Sequence, residues 1–378
     1  MPVGSIISRK IMGCREKGIA VSCLLYNECE MFEPKYTITD ELLTTIAKIE
    51  SLNTCVAQAR ILPERAIELH YRATVEKTHS STSIEGNPLT LKQVDFVLQG
   101  KDLALTRRKY AEIEVRNYKK ALDFIDRRKL TGAPLQCEDI LRLHELAMKD
   151  LLPDRKVGSF RTGAVYIVDP DEKLKYTGPA ARSVRKKIEE LLGWIEAANE
   201  TVHPCVVSAI LHYQFVSIHP FADGNGRAAR LATMLYLGIC GYDFNGAIVL
   251  DSYYAQERSE YYAALHNCQG EKYREGQDLT PWISYFASGF LSSAKVLWAE
   301  ITVLSALEPL LERKRINRDE ADLLSYAKQF GSVSLSEAEE ILPHLSRRTL
   351  QRKLKELTDN GYLAPDGAGR STSYKWRD

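Results

Sequence analysis

The sequence predicts a mainly α-helical protein with one β-hairpin set into it and a winged helix-turn-helix domain at its C-terminus. Three observations predict this. Apolar residues recur at three- and four-residue steps along most of the 378 residues, the period of a helix with one buried face. Between Gly158 and Pro179 the pattern changes to alternation rich in Val, Ile and Tyr around a Pro and Asp turn at Asp169 to Glu172, which reads as a hairpin. From Arg313 onward the order becomes three helices followed by a Gly-rich hairpin over Tyr362 to Trp376.

The length suffices for two or three domains with sizeable cores. Charged residues make up 27% with a net charge of only +1, so no global basic or acidic field points to a polyelectrolyte partner. Eight cysteines without a CxxC pair argue against zinc and against a disulfide framework, and fit a reducing cytoplasm. No run approaches the roughly twenty apolar residues that a membrane span needs. The chain divides into an extension of uncertain order (1–31), an N-terminal helical region (32–130), a central core with the hairpin and the helices that follow it (131–312), and the winged helix (313–378). A folded unit is expected to begin near Met31.

Asp40 to Ile61 reads as a helix capped by Thr39 or Asp40, with Leu42, Leu43, Ile46, Ile49 and Leu52 inward. A second runs from Pro63 to about Glu85 and is stopped by Gly86, Asn87 and Pro88. Glu85 there faces the negative end of the helix dipole, which is unfavourable unless a cation meets it; taken alone it reads as a solvated surface carboxylate. Further helices are read over Pro88 to Gly100, Arg107 to Arg128, Cys137 to Leu152 and Val184 to Thr201; His144, in the third of these, reads as structural. The hairpin is marginal by itself, so it should be mobile or docked. In the last region Asn317 to Phe330, Ser334 to Leu342 and Ser346 to Asn360 are the three helices. Residues 313–378 hold 13 Lys and Arg against 10 Asp and Glu, with Arg347, Arg348, Arg352, Lys353 and Lys355 on the third helix. Such a helix is expected to contact DNA or a protein partner.

The stretch HPFADGNGRAAR, His219 to Arg230, is a poor way to build a core. It follows an apolar helix over Val206 to Ile218 and precedes another marked by Leu231, Met234, Leu235 and Leu237. Pro220, Asp223, Gly224, Asn225 and Gly226 make a tight loop, and the next helix starts with unpaired amides that suit an anion. Arg227 and Arg230 stand three apart on one face, where both can reach one polyphosphate. Asp223 supplies the hard oxygen that Mg²⁺ prefers. His219 is the one nearby group whose proton affinity suits a general base at neutral pH.

These residues resemble the Fic family, whose signature HxFx(D/E)GNGRxxR is met here at every fixed position. The resemblance implies transfer of AMP from ATP to a hydroxyl side chain of a protein target, with release of pyrophosphate. It implies His219 as the base, Asp223 for Mg²⁺, Gly224, Asn225 and Gly226 at the α-phosphate, and Arg227 and Arg230 on the β- and γ-phosphates. The related Doc branch carries Lys where this chain has Gly226, which favours adenylylation over phosphorylation. Ser81, Glu85 and Gly86 in SSTSIEGNP are similar to the family's inhibitory motif (S/T)xxxE(G/N), which implies a salt bridge from Glu85 to Arg230 that keeps ATP from its productive pose. It further implies a flap in which Val165, Tyr166, Ile167 and Val168 register the target by strand addition, and an adenine pocket for which Tyr253, Tyr254 and Tyr261 are candidates. A homodimer is also implied. The alternatives are an ATP-sensing transcription regulator acting through the winged helix, and an enzyme that also removes AMP.

Overall fold

The computed structural model describes residues 32–103, 109–168, 174–312, 316–367 and 372–377. The expectations for residues 1–31 and for the hairpin turn at 169–173 lie outside them, as does the side chain of Val168. The first helix, α1 (Asp40–Gln58), is capped by Thr39, whose hydroxyl accepts from Leu42 N–H at 3.2 Å. It stops short of Ile61 because Ala59 turns to extended backbone and Leu62, which precedes Pro63, is held out of the helical region. α2 (Pro63–Ile84) starts on that proline and ends with Glu85 as its C-cap, followed by Gly86 at φ +94°. α3 (Leu91–Leu98) starts after Pro88 because Thr90 and Gln93 close a capping box there. α4 (Lys109–Arg128) and α5 (Cys137–Met148) follow.

The hairpin pairs β1 (Tyr166–Val168) with β2 (Leu174–Thr177), antiparallel, with an irregularity between Ile167 and Val168. Behind it come α6 (Val184–Ala198), α7 (Pro204–Ile218), α8 (Asn225–Ile239), α9 (Leu250–Gln256), α10 (Arg258–Gln269) and α11 (Thr280–Glu312). α7 is apolar on every side, and all of it except Pro204 and Val216 is buried, as a central helix must be. It forms the shared wall of two cores. On one side Ile210 and Tyr213 pack with Leu42 and Ile49 of α1, Leu69 and Ile84 of α2, and Trp282 and Phe286 of α11. On the other, Leu211 and Phe215 pack with Tyr118 and Leu122 of α4, Leu143 of α5, and Leu231 and Leu235 of α8. The N-terminal helices thus share their core with the central ones.

α11, about 50 Å long at 1.5 Å per residue, carries Val303 into a third core. That core gathers Leu323 and Leu324 of α12 (Arg318–Phe330), Val333 of β3 (Ser332–Ser334), Ala338 of α13 (Leu335–Ile341), and Leu350 and Leu354 of α14 (Arg347–Asp359). β4 (Leu363–Asp366) and β5 (Ser373–Trp376) complete an antiparallel sheet of order β3-β5-β4. β3 is not legible in the sequence, since three residues are too few to show alternation. Arg65 at the start of α2 reaches Asp322 of α12 at 2.9 Å.

Candidate functional site

The C-terminal end of α7, the loop after it, and the start of α8 meet the ends of α2 and the inner face of α4. His219 caps α7 in the left-handed region, at φ +52° and ψ +62°, and its backbone N–H returns to Phe215 O at 2.9 Å. Its Nδ1 lies 3.1 Å from Val216 O. A carbonyl can only accept, so Nδ1 carries the proton and Nε2 of the neutral ring is left basic. Burial lowers the imidazole below its ordinary range, outweighing the Val216 hydrogen bond that supports the charged form.

The loop is held by its own polar groups. Asn225 binds Phe221 twice, accepting from its N–H at 2.8 Å and donating to its carbonyl at 3.0 Å, so its side-chain amide shapes the loop. Gly224 is the N-cap of α8 at φ +76°, and a Cβ there would lie 2.5 Å from Met148 Sδ. No side chain caps α8, so the first amides of the helix, at Asn225, Gly226 and Arg227, have no partner within it. Asp223 has a side chain 61% exposed; its Oδ1 accepts from Gly224 N–H at 2.6 Å and lies 3.9 Å from Arg227 Nη2.

His144, read as structural, is a strut of this loop. Its ring stacks on Phe221 at 3.7 Å between centroids, its Nε2–H donates to Asp223 O at 3.0 Å, and its Nδ1 accepts from Gly158 N–H at 3.0 Å. Both bonds fit one neutral tautomer, and burial pushes the ring down to about 4. A second buried histidine, His212, is pushed down to about 3; its Nε2 lies 2.9 Å from Tyr261 Oη and its Nδ1 3.3 Å from Thr233 Oγ1. Folded-state values below the unfolded value of about 6.5 mean that the unfolded chain takes up these protons first. Their stabilisation is complete above that pH and is lost as pH falls from 6.5 toward 4. Urea unfolding is expected to show a loss of roughly 2 kcal/mol per histidine between pH 7 and pH 5; a flat midpoint across that window would contradict two neutral buried imidazoles.

The two signature arginines are buried and each meets a carboxylate. Arg230, 2% exposed, donates from Nη2 to Glu85 Oε1 at 2.8 Å, from Nε to Ser81 Oγ at 2.6 Å and from Nη2 to Ser81 O at 2.9 Å. Burial alone would raise Glu85, but Arg230, with Arg227 and Arg258 beyond it, brings the carboxyl below its usual range. Gly226 is glycine for a reason of space, because any Cβ there would run into Glu85 Oε1. Arg227 pairs with Glu114 of α4, both side chains 6% exposed. Beneath Arg230, Tyr118 donates to buried Asp251 at 3.0 Å.

Glu114 was not singled out by the sequence, although it stands among the inward positions Ala111, Val115 and Tyr118, where a carboxylate needs a partner. Arg161 was also missed. Its Nε donates to His219 O at 2.8 Å, its Nη1 to Gly163 O at 2.8 Å and its Nη2 to Pro179 O at 2.6 Å, tying the base of the hairpin to the end of α7. Tyr176 of β2 adds a bond to Ser217 O at 2.7 Å. Thr177 at the end of β2 pairs on its other side with residues 271–273, whereas β1 has no second neighbour among the described residues. Tyr166 on β1 is 60% exposed.

The tyrosines that the resemblance places at a base stand in two different surroundings. Tyr254 and Tyr261 are 0% and 2% exposed and stack on each other at 4.8 Å inside the core of α7 and α11, with no free ring face. Tyr253 lines a different cleft, between α2 and α11, beside Leu69, Arg72 and Val296. Helical spacing could not tell a pocket wall from a core wall.

An αL histidine, an uncapped helix start behind a glycine loop and two buried arginines, in a helical frame, make an arrangement whose chemistry suits an anion. Residues 134–237 match the Fic/DOC family. It is 28% identical over 212 residues to protein adenylyltransferase fic-1 of Caenorhabditis elegans, a match covering 55% of this chain and 38% of that protein. It is 28% identical over 217 residues to protein adenylyltransferase Fic of Drosophila erecta, covering 57% and 40%. The chain thus spans about two fifths of the length of these curated relatives. The fold is similar to that of a Fic family protein from Desulfovibrio desulfuricans, with a TM-score of 0.60 at 24% identity, covering 92% of this chain and 98% of that one. A Fic domain containing signaling protein from Bacteroides thetaiotaomicron aligns with a TM-score of 0.59 at 22% identity, covering 69% and 97%.

Proposed function

We propose that this protein is an adenylyltransferase that moves AMP from ATP to a hydroxyl side chain of a protein, held in check by its own Glu85. The observation that carries the reading is the His219 tautomer: Nδ1–H is committed to Val216 O, which leaves Nε2 to take a proton. An anion sensor needs the loop and the arginines but no base. In the reaction, Nε2 takes the proton of the target hydroxyl as its oxygen bonds to the α-phosphorus; the bond from that phosphorus to the bridging oxygen breaks, and pyrophosphate leaves with the electron pair. The free amides at Asn225, Gly226 and Arg227 and the guanidinium groups of Arg227 and Arg230 hold the phosphates, with Gly224, whose N–H is taken by Asp223, giving the loop its close approach. Asp223, a single exposed carboxylate at the loop, fits Mg²⁺, which is commonly held by one or two carboxylates and the substrate's phosphates. When bound, the ion neutralises phosphate charge.

The open edge of β1 is the place for an extended target segment, with Val165 to Val168 giving its register. The curated relatives are named protein adenylyltransferases, which supports the reading. We also read residues 316–377 as a winged helix, from the order helix, strand, helix, helix and hairpin. On α14, Arg347 answers Glu339, Arg352 lies 3.6 Å from Glu356, and buried Lys353 reaches Asp319 at 3.2 Å. That leaves less free charge for phosphate than the sequence suggests and favours a protein partner. The test of the transfer reaction is incubation with target-containing lysate and ATP labelled on either the α- or the γ-phosphate. Protein-bound label is expected from the α-phosphate alone; label from the γ-phosphate would mean phosphorylation instead.

A further inference from the structure

We propose that Glu114 is a positioning residue shared by the phosphate-binding loop and the inhibitory helix: it aims Arg227 and, through Asn87, holds the segment that carries Glu85. This rests on the adenylyltransferase reading and extends it to α4, a helix outside the signature. Glu114 is 5% exposed and uses both oxygens. Oε1 takes Arg227 Nη1, and Oε2 accepts from Asn87 Nδ2 at 2.7 Å.

Asn87 is itself fully occupied. Its Nδ2 also donates to Ala111 O at 3.1 Å, its Oδ1 accepts from Leu89 N–H at 3.1 Å, and its backbone N–H returns to Thr82 O at 3.0 Å. It therefore clips the end of α2 to the first turns of α4, two residues beyond Glu85.

The arrangement is asymmetric in a way that matters. Glu114 holds one terminal nitrogen of Arg227, while Nη2 lies on the Asp223 side of the guanidinium, 3.9 Å from Oδ1, and Nε is buried without a hydrogen-bond partner. A guanidinium fixed at one corner with donors to spare is pre-oriented for an anion at the loop. An apolar side chain at position 114 would serve packing as well or better, since burying a charged pair costs desolvation on both sides. The carboxylate is accounted for by orientation. It also makes the two arginines interdependent: Arg230 is held by Glu85, Arg227 by Glu114, and Asn87 joins the two holders.

Two substitutions separate the halves of the idea, each made in the full chain and in a Glu85→Gly background. Glu114→Gln keeps the size of the side chain and an oxygen for Asn87, but removes the charge that fixes Arg227. In the Glu85→Gly background it is expected to weaken binding of a non-hydrolysable ATP analogue about tenfold in a fluorescence titration, the effect of about one charge-assisted hydrogen bond. Asn87→Ala removes the link between Glu114 and the inhibitory segment while leaving the Glu114 to Arg227 ion pair in place. It is expected to raise transfer severalfold when Glu85 is present and to add nothing when Glu85 is glycine. Unchanged nucleotide affinity in Glu85→Gly/Glu114→Gln, or an Asn87→Ala protein no more active than wild type while Glu85→Gly is activated, overturns the proposal. If Glu85→Gly itself leaves transfer unchanged, the lock falls, and the affinity measurement still judges Glu114 and Arg227. Should Glu114→Gln fail to fold, Asn87→Ala decides alone, because that side chain is only half-buried.

Discussion

Replacing His219 with alanine is expected to reduce AMP transfer by about 10²- to 10⁴-fold, the usual contribution of a positioned general base, while leaving nucleotide binding within about twofold. The split follows from geometry. In the proposed reaction the phosphates are held by the amides at the start of α8 and the guanidinium groups of Arg227 and Arg230, none of which depends on the imidazole. His219 also caps α7 with its backbone, and that bond to Phe215 O survives the change, although the left-handed conformation costs alanine about 1 kcal/mol. A pH profile sharpens the test. The acid limb of kcat/KM should have its midpoint below the ordinary histidine value of about 6.5, because burial lowers the ring and the neutral form is the active one. A limb at or above that value would remove His219 from the role of base.

The second large effect is expected from Glu85→Gly, which should raise transfer, including self-modification, by about ten- to a hundredfold. That range corresponds to a closed state favoured by about 1.4 to 2.7 kcal/mol. The gain carries a stability cost. Arg230 is fully buried, and losing Glu85 removes the one carboxylate hydrogen-bonded to it and leaves the neutral partners Ser81 and Tyr261, so the variant should melt at a lower temperature without nucleotide. Added ATP returns an anion to the guanidinium, so the same variant should gain more from nucleotide in a thermal melt than the wild type does. Activation with no such difference would show that Glu85 acts on something other than Arg230.

The signature loop is legible in the sequence because its polar residues interrupt two apolar helices, and nothing in a core accounts for them. Glu85 is legible too, at the wrong end of a helix dipole and in need of a cation. Glu114 is visible only as a charge among inward positions; that its partners are Arg227 and Asn87 depends on α4 lying beside α2 and α8, which no local pattern encodes. Arg161 gives no signal, since one arginine near a glycine turn usually faces water. The tyrosines at 253, 254 and 261 are the opposite case: periodicity shows that a helix has an inner face but not whether that face meets ligand or core. The hairpin is foreseen from alternation, and its anchoring through Arg161 and Tyr176 is what the alternation leaves out.

α2 is bound into the core along Leu69, Ala73, Val75, Thr78 and Ser81, yet its last carboxylate stands at the C-cap, with a side chain 25% exposed. Freeing Arg230 therefore asks for rotation of one side chain and not for removal of a helix. The consequence is one of time. Rotamer changes at such a position belong to the picosecond-to-nanosecond range or a little slower, whereas lifting a packed 22-residue helix would be a local unfolding event of microseconds to seconds. If Glu85 is the proposed catch, it is sampled open many times in each turnover, and the arriving nucleotide has only to occupy the arginine during one of those intervals.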